Sequence, residues 1–536
     1  MFAELSAPNF RPPIDRCADA DLHVWDERLV RWCVRWAVYS SRRNLAPAAY
    51  LKNRVAVATV APPPAIADHD CLPAGVPPIE RSVLPAALSP SGLPDALIPP
   101  RFLMKICSTL TLRIQVLAVL TASGIFALAT IANAGDWPTF RGAERTAVAP
   151  DTGLLTSWPD GGPKLLWESR GAGRGYSSLA IANGRIYTLG DRSSLADGDN
   201  SEFLLCFRQA DGSPVWKLKT GDPWDKGSPN WQGSRSTPTV DSDRVYVLTP
   251  HGDLVCGSVA DGSEKWRRNL KSDFGGKKGD GWGYGESVTI DADHLICTPG
   301  GDRNTLVALN KLTGDLVWSA VWEGDRGAGH SSVVISEVGG TRVYVQTTAS
   351  GALGVRASDG KLLWSYEIDR TTAVIPTPIV RGDLVFFAAG YGRGGALLRQ
   401  VAGANGDVTV EEIYPINRKL ANKHGGIVLV GDHLYGDTDD RGTPFCAELM
   451  TGNVVWQSRG SGKRSANIVA ADGYLYIRYS DGTLALVKAT PDGYEESGLL
   501  KIPGSDSQPS WSHSVILDGK LYLREGDRLL CYDLRG

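Results

Sequence analysis

ALNKLTGDLVW, residues 308–318, reads as a short apolar strand, a turn around Gly314 and a second strand closing on Trp318. The same arrangement recurs as ADGSPVW (210–216), ADGSEKW (260–266), SDGKLLW (358–364) and MTGNVVW (450–456), with a first copy at GGPKLLW (161–167). The Trp residues stand at 167, 216, 266, 318, 364 and 456, in steps of 49, 50, 52, 46 and 92 residues, the last being twice 46. That spacing puts a degenerate copy at Val410, in GANGDVTVEEIY (403–414), and another at Ile502, in PDGYEESGLLKI. Eight copies at a near-constant period mark a repeat architecture.

A second motif lies between the copies of the first. It is an apolar strand, a tight polar turn and an alternating strand that often carries Tyr, as in LAIANGRIYTL (179–189), TVDSDRVYVL (239–248), IVAADGYLYIR (468–478) and VILDGKLYLR (515–524). It too occurs eight times. Asn-Gly and Asp-Gly between alternating runs are strong hairpin signals. Each repeat therefore reads as four antiparallel strands, A to D, with no helix. This is the pattern of a propeller blade, and the fold class is all-β, an eight-bladed β-propeller. The chain enters with a lone strand D at LLW (165–167) and ends with strands A, B and C, the last at RLLCYDL (528–534). Pairing of the first strand with the last would close the ring without leaving an open sheet edge.

The repeats begin near residue 161, after a lead-in at 135–160. Residues 1–103 hold nearly half of the 32 Pro and show no sustained period, so they read as a disordered or mis-assigned extension. From Met104 the pattern changes. Lys105 and Arg113 precede the apolar run IQVLAVLTASGIFALATIA (114–132), which ends in Ala132-Asn133-Ala134. This is a secretory signal over 104–134 with cleavage expected after Ala134; an uncleaved anchor is the alternative. The expected product is exported, periplasmic or extracellular, without a membrane span. Its net charge of −6 over 135–536 argues against nucleic acid as a partner. Its five Cys, an odd number, do not make a disulfide scaffold and sit at strand positions where a small core residue fits.

The pattern of 308–318 resembles the tryptophan-docking repeat of pyrroloquinoline-quinone (PQQ) dependent alcohol dehydrogenases. The propeller lipoprotein of outer-membrane barrel assembly, which is not an enzyme, shares it. DWPTFRG (136–142), TAVIPTPIV (372–380) and HGGIVLV (424–430) look like a bacterial, exported PQQ-like subfamily. The resemblance covers about 160–536. It implies a propeller, and PQQ as the cofactor if the chain is a quinoprotein. The sequence departs from the enzymes in lacking an adjacent Cys-Cys pair and a C-x-x-C-H haem site, and from the lipoprotein in lacking a lipid-modified Cys after the apolar run.

In a propeller the A strands line the central channel. Stepping back 11 residues from the B-strand Tyr position reaches Tyr176, Arg235, Gly285, His424 and Trp511, with Ile375 and Ser465 in the same ring. His330 falls near this level, and Tyr284, Glu286, Arg464 and His513 lie within two residues of it. Tyr176, Arg235, Tyr284, Glu286, His330, His424, Arg464, Trp511 and His513 are thus the candidate cofactor-binding residues. Arg can hold carboxylates, aromatic rings can stack on a planar ligand, and His can act as a general base. Two acidic stretches, DRSSLADGDN (191–200) and DTDD (437–440), are rich enough for calcium but match no calcium-loop spacing. Three functions stay open: a scaffold for an envelope protein, a PQQ-dependent dehydrogenase of an alcohol or sugar, and a binder of another small planar or anionic molecule or a glycan.

Overall fold

The protein's structure is a computed structural model that describes residues 135–505 and 508–536. The segments read as an extension and an export signal, 1–103 and 104–134, lie outside the described residues. Among the described residues no helix is long and apolar enough to cross a membrane.

Eight four-stranded antiparallel sheets make up the described chain. Seven take their strands in chain order: blades 1 to 7 span 180–221, 239–269, 289–320, 334–367, 379–417, 428–457 and 466–501. Blade 8 joins Val515–Leu517, Lys520–Glu525 and Arg528–Asp533 to the early strand Lys164–Arg170. Trp167 stands opposite Cys531 in that ladder. The chain is an eight-bladed β-propeller closed by its first and last strands.

Burial follows from the stacking of blades on both faces. Strands B and C are covered on each side, so Arg185–Asp191 and Glu202–Arg208 are almost wholly buried. Strand D lies outermost, and Pro214–Gly221 is exposed at every other position over most of its length. The A–B turns have the geometry that Asn-Gly and Asp-Gly predict. Asn183 and Gly184, Asp472 and Gly473, and Asp518 and Gly519 all have positive φ. All five described Cys are free and buried. Four of them face a B-strand Tyr across the ladder, as Cys206 faces Tyr187.

The repeated Trp fastens each blade to the next. Trp216 Nε1 donates to Val259 O at 3.0 Å, Trp266 Nε1 to Lys311 O at 3.0 Å and Trp318 Nε1 to Ala357 O at 3.1 Å, each acceptor lying in the following blade. The turn glycine of that following blade rests on the indole. A Cβ at Gly262 would sit 2.6 Å from the Trp216 ring, and one at Gly314 would sit 2.8 Å from the Trp266 ring. The Gly and the Trp of the motif are therefore two halves of one contact between blades.

The two degenerate copies are phased differently from the spacing. In blade 5 the docking position belongs to Tyr414, opposite Leu397, and not to Val410. Register shifts on either side of Leu397 move the ladder. In blade 7 the position is Gly498, opposite Leu486, and not Ile502. The ring missing there comes from the lead-in: Trp158 packs over Gly498 and lies 5.9 Å from the Tyr476 ring.

The lead-in also plugs the channel. Trp137 pairs with Ile181 of blade 1, Pro138 O accepts from Val240 N of blade 2, and Ala149 N donates to Ala470 O of blade 7. Arg141 is buried and donates to Gly425 O at 3.0 Å and Ile427 O at 2.7 Å, next to strand A of blade 6. Arg145, also buried, donates to Ser287 O at 3.0 Å and to Val288 O at the start of blade 3.

Candidate functional site

The plug leaves a cavity on each side of itself. At the A–B turn end is one of about 640 Å³, with Thr139, Arg145 and Val148 of the plug in its wall. At the other end, where the A strands begin, is one of about 540 Å³ that includes Phe140 of the plug. Seven of the nine candidate residues line this second cavity: Tyr176, Arg235, His330, His424, Arg464, Trp511 and His513. They come from six blades, whose A strands begin around this end of the channel.

Tyr284 and Glu286 are not there. They flank Gly285, which does face the cavity, and the alternation of an extended chain turns both neighbours into the protein. Tyr284 is fully buried and its hydroxyl donates to Pro299 O at 2.9 Å. Glu286 accepts from Thr298 N at 2.8 Å and from Gln346 Nε2 at 3.2 Å, and burial pushes its carboxyl up to about 8. Gly285 leaves room for a neighbour, since a Cβ there would meet His330 Nδ1 at 2.6 Å.

Two ionic clusters flank the cavity. In the first, Asp280 accepts from Lys278 Nζ at 2.8 Å and lies 3.0 Å from His330 Nε2. Burial opposes charge on Asp280, yet His330 and Lys278 hold its carboxyl below the ordinary carboxylate range. Burial lowers Lys278 to about 8 against the pull of Asp280, and it lowers His330 as well. In the second cluster, Lys423 lies 3.3 Å from Asp440, Asp440 accepts from Ser465 Oγ at 3.1 Å, and Ser465 Oγ meets His424 Nδ1. Burial carries both His424 and His513 down to about 3, so both imidazoles are neutral at pH 7. His513 Nε2 is bonded to His424 O at 3.0 Å, and its ring meets Phe140 edge-on with centroids 4.9 Å apart.

Aromatic rings continue upward from this floor. Trp511 lies 4.8 Å from both Tyr176 and His424. At the mouth Trp231 meets Trp282 at 5.9 Å, and Trp282 stacks on Tyr391 at 6.5 Å. Lys423 Nζ sits 4.9 Å above the Tyr391 ring. Arg235 turns onto its own loop, donating to Gly233 O at 2.9 Å and to Trp231 O, and burial lowers it to about 10. Arg464 is exposed at the mouth, with no partner for its guanidinium among the described residues.

Counting back from the B strands could not reach Phe140, Trp231, Lys278, Asp280, Trp282, Tyr391, Lys423 or Asp440. They belong to the plug and to loops of unequal length. The signal available was aromatic residues set in loops otherwise rich in small and polar residues, SPNWQGS (228–234) and GDGWGYG (279–285). The two acidic stretches have other tasks. Asp191 accepts from Arg174 at 2.8 and 2.9 Å. Asp437 accepts from Thr443 N at 2.7 Å and Ala466 N at 3.2 Å, with burial pushing it up to about 8. Among the described residues no three His, Cys, Asp or Glu side chains are grouped to hold a metal ion.

Residues 200–458 match the family model described as outer membrane protein assembly factor BamB. The chain carries a PQQ-like repeat propeller. It is similar to the outer membrane protein assembly factor BamB of Nitrosomonas eutropha, 23% identical over 286 residues, 52% of this chain and 62% of the relative. It thus spans about three fifths of that protein's length. The factor of the same name from Bordetella pertussis is 24% identical over 327 residues, 59% of this chain and 72% of the relative. Among solved structures, the quinohemoprotein alcohol dehydrogenase from Comamonas testosteroni superposes with a TM-score of 0.52 at 12% identity, over 77% of this chain and 82% of that one. BamB from Moraxella catarrhalis gives 0.46 at 15% identity, over 69% and 97%. At such identities the likeness to the dehydrogenase is one of fold alone.

Proposed function

We propose that the chain is an exported, cell-envelope binding and scaffold protein whose propeller holds a small ligand in the plugged channel mouth. The observation that carries this reading is the commitment of the pocket's ionisable groups. Asp280 is held by Lys278 and His330, Asp440 by Lys423 and Ser465, and burial keeps His424 and His513 neutral. Such groups shape and orient; a carboxylate tied into ion pairs is a poor proton acceptor. The similarity to outer membrane protein assembly factors supports an envelope protein as partner.

PQQ-dependent dehydrogenation of an alcohol or sugar is the second reading, prompted by the resemblance of the 308–318 repeat to that of PQQ-dependent alcohol dehydrogenases. The stacked rings and the arginines suit a planar, carboxylated quinone. The rest of the pocket does not. Its described carboxylates are already paired, and the five described Cys are buried in the blades, none beside another in sequence. The residues present therefore do not fit PQQ as a working cofactor.

Titrating the purified protein with PQQ, with and without Ca²⁺, and following calorimetry and dye reduction over an alcohol and sugar panel separates the two. The binding reading expects no PQQ-dependent dye reduction, and cross-linking in intact cells to capture an envelope protein. Sustained dye reduction that needs both PQQ and an alcohol would overturn it.

A further inference from the structure

The pocket's charge and depth are ordered in a way that selects a ligand. The side chains that line the floor are uncharged. Phe140 closes it, His513 lies against Phe140, and Thr237 and Ser287 add only hydroxyls. His424 and His513 are neutral at pH 7, and one ring nitrogen of each is already engaged, His424 Nδ1 at Ser465 Oγ and His513 Nε2 at His424 O. Above the floor Trp511 and Tyr176 offer flat faces, and Trp231, Trp282 and Tyr391 continue them to the mouth.

The cations around the cavity are nearly all committed, and the one behind the floor, Arg141 of the plug, spends its guanidinium on four carbonyls. Lys423 is paired with Asp440, and Lys278 with Asp280. The Arg235 guanidinium is spent on two carbonyls of its own loop. Arg464 alone among the cations lining the cavity is exposed and without a partner among the described residues. It is held at φ 64°, in the left-handed region that a residue with a Cβ rarely adopts.

From this arrangement we infer that the pocket takes a ligand with a flat, uncharged body that enters first and a single anionic group that stays at the mouth on Arg464, in simplest form an aryl monocarboxylate. The inference rests on the binding reading above and adds the ligand's class and orientation. A second acid group at the far end would be carried down to neutral imidazoles and a phenyl ring. Its desolvation would go uncompensated there.

Three probes of one shape test it: 2-naphthoate, 2-naphthylmethanol and naphthalene-2,6-dicarboxylate. Binding is read by calorimetry and by quenching of intrinsic Trp fluorescence. The expected result is that 2-naphthoate binds about tenfold or more tighter than either of the others, the scale of one hydrogen-bonded charge. Arg464→Gln removes the preference for the acid over the alcohol, and Phe140→Ala weakens all three. Arg464 is exposed, so the variant's fold is not at stake; a melting curve checks it. Dicarboxylate binding as tight as 2-naphthoate, or a preference that survives Arg464→Gln, overturns the orientation while leaving a ligand pocket in place. Failure of all three probes to bind overturns the inference, and the scaffold reading is then judged on the cross-linking result alone.

Discussion

Trp158 fills the space that Gly498 leaves open: a Cβ at residue 498 would lie 2.7 Å from the Trp158 side chain. Blade 7 has no docking aromatic of its own, and a residue from outside the repeats supplies one. Trp158 N also donates to Ser497 O at 3.1 Å, which fixes the segment along strand D. Trp158→Ala should therefore destabilise the protein by about 3–5 kcal/mol, the usual cost of emptying a buried Trp site. Gly498→Val should act in the same direction by displacing the ring. Chemical denaturation of both variants checks this, and a loss below about 1 kcal/mol for Trp158→Ala would show that blade 7 does not depend on the lead-in.

The closure of the ring gives a second expectation. The ladder from Lys164 to Arg170 against Asp533 to Arg528 is the one that joins the beginning of the repeats to the end. Deleting 529–536 removes most of strand C of blade 8, so Lys164–Arg170 loses its neighbour and Lys520–Glu525 becomes an edge. The melting temperature should fall sharply and the protein should become prone to association through the open edge. Thermal unfolding with light scattering reads both effects. An unchanged melting curve would contradict closure by these strands.

The repeat count, the hairpins and the closure were legible because each rests on a local pattern repeated many times. One Gly-to-Trp contact between blades, written over and over, sets the period. Its two exceptions were misplaced for a physical reason. Nothing in the spacing reveals the register shifts around Leu397 that bring Tyr414 into the docking position, or that Trp158 stands in at blade 7. The candidate site was legible where it follows strand register, as at Tyr176, Arg235, His424 and Trp511. It failed by one residue at Tyr284 and Glu286, because in an extended chain one step reverses the side on which a side chain lies. Asp280 and Trp282, which shape the mouth, sit in a loop whose path the repeat does not determine.

The plug is held by two arginines that have no carboxylate partner in hydrogen-bond contact. Arg141 makes four bonds to carbonyls, at Arg145, Gly425, Thr146 and Ile427, between 2.7 and 3.1 Å. Burial lowers its guanidinium to about 10, so it remains charged at pH 7. Arg141→Met keeps much of the volume but leaves those buried carbonyls without a donor, at about 1–3 kcal/mol for each group left unsatisfied. The variant should be less stable, and its lead-in should be cut early in limited proteolysis while the blades remain resistant. Cleavage kinetics identical to those of the unaltered protein would mean that Arg141 does not secure the plug.

Three buried carboxyls and two buried imidazoles set opposite limits on stability against pH. Glu202, Glu286 and Asp437 are pushed up to about 8 by burial, from ordinary values of 4.5 for Glu and 3.8 for Asp. The native state therefore holds their protons more tightly than the unfolded chain does. The stabilisation this gives is complete below the ordinary values and is lost as pH rises to about 8. His424 and His513 behave in reverse. Their native values near 3 lie below the ordinary 6.5, so stability tied to the neutral rings is full above 6.5 and is lost as pH falls towards 3. Glu202 is the cleanest test, since its oxygens meet only the hydroxyls of Thr220 at 3.0 Å and Ser234 at 2.5 Å. Glu202→Gln keeps the shape and cannot ionise. Urea unfolding at pH 5 and pH 8 should show the variant losing less stability over that interval than the parent, by about 3 kcal/mol, at about 1.4 kcal/mol for each pH unit over which the unfolded carboxyl is ionised and the native one is not. Equal losses in the two proteins would place the Glu202 proton outside the folding equilibrium.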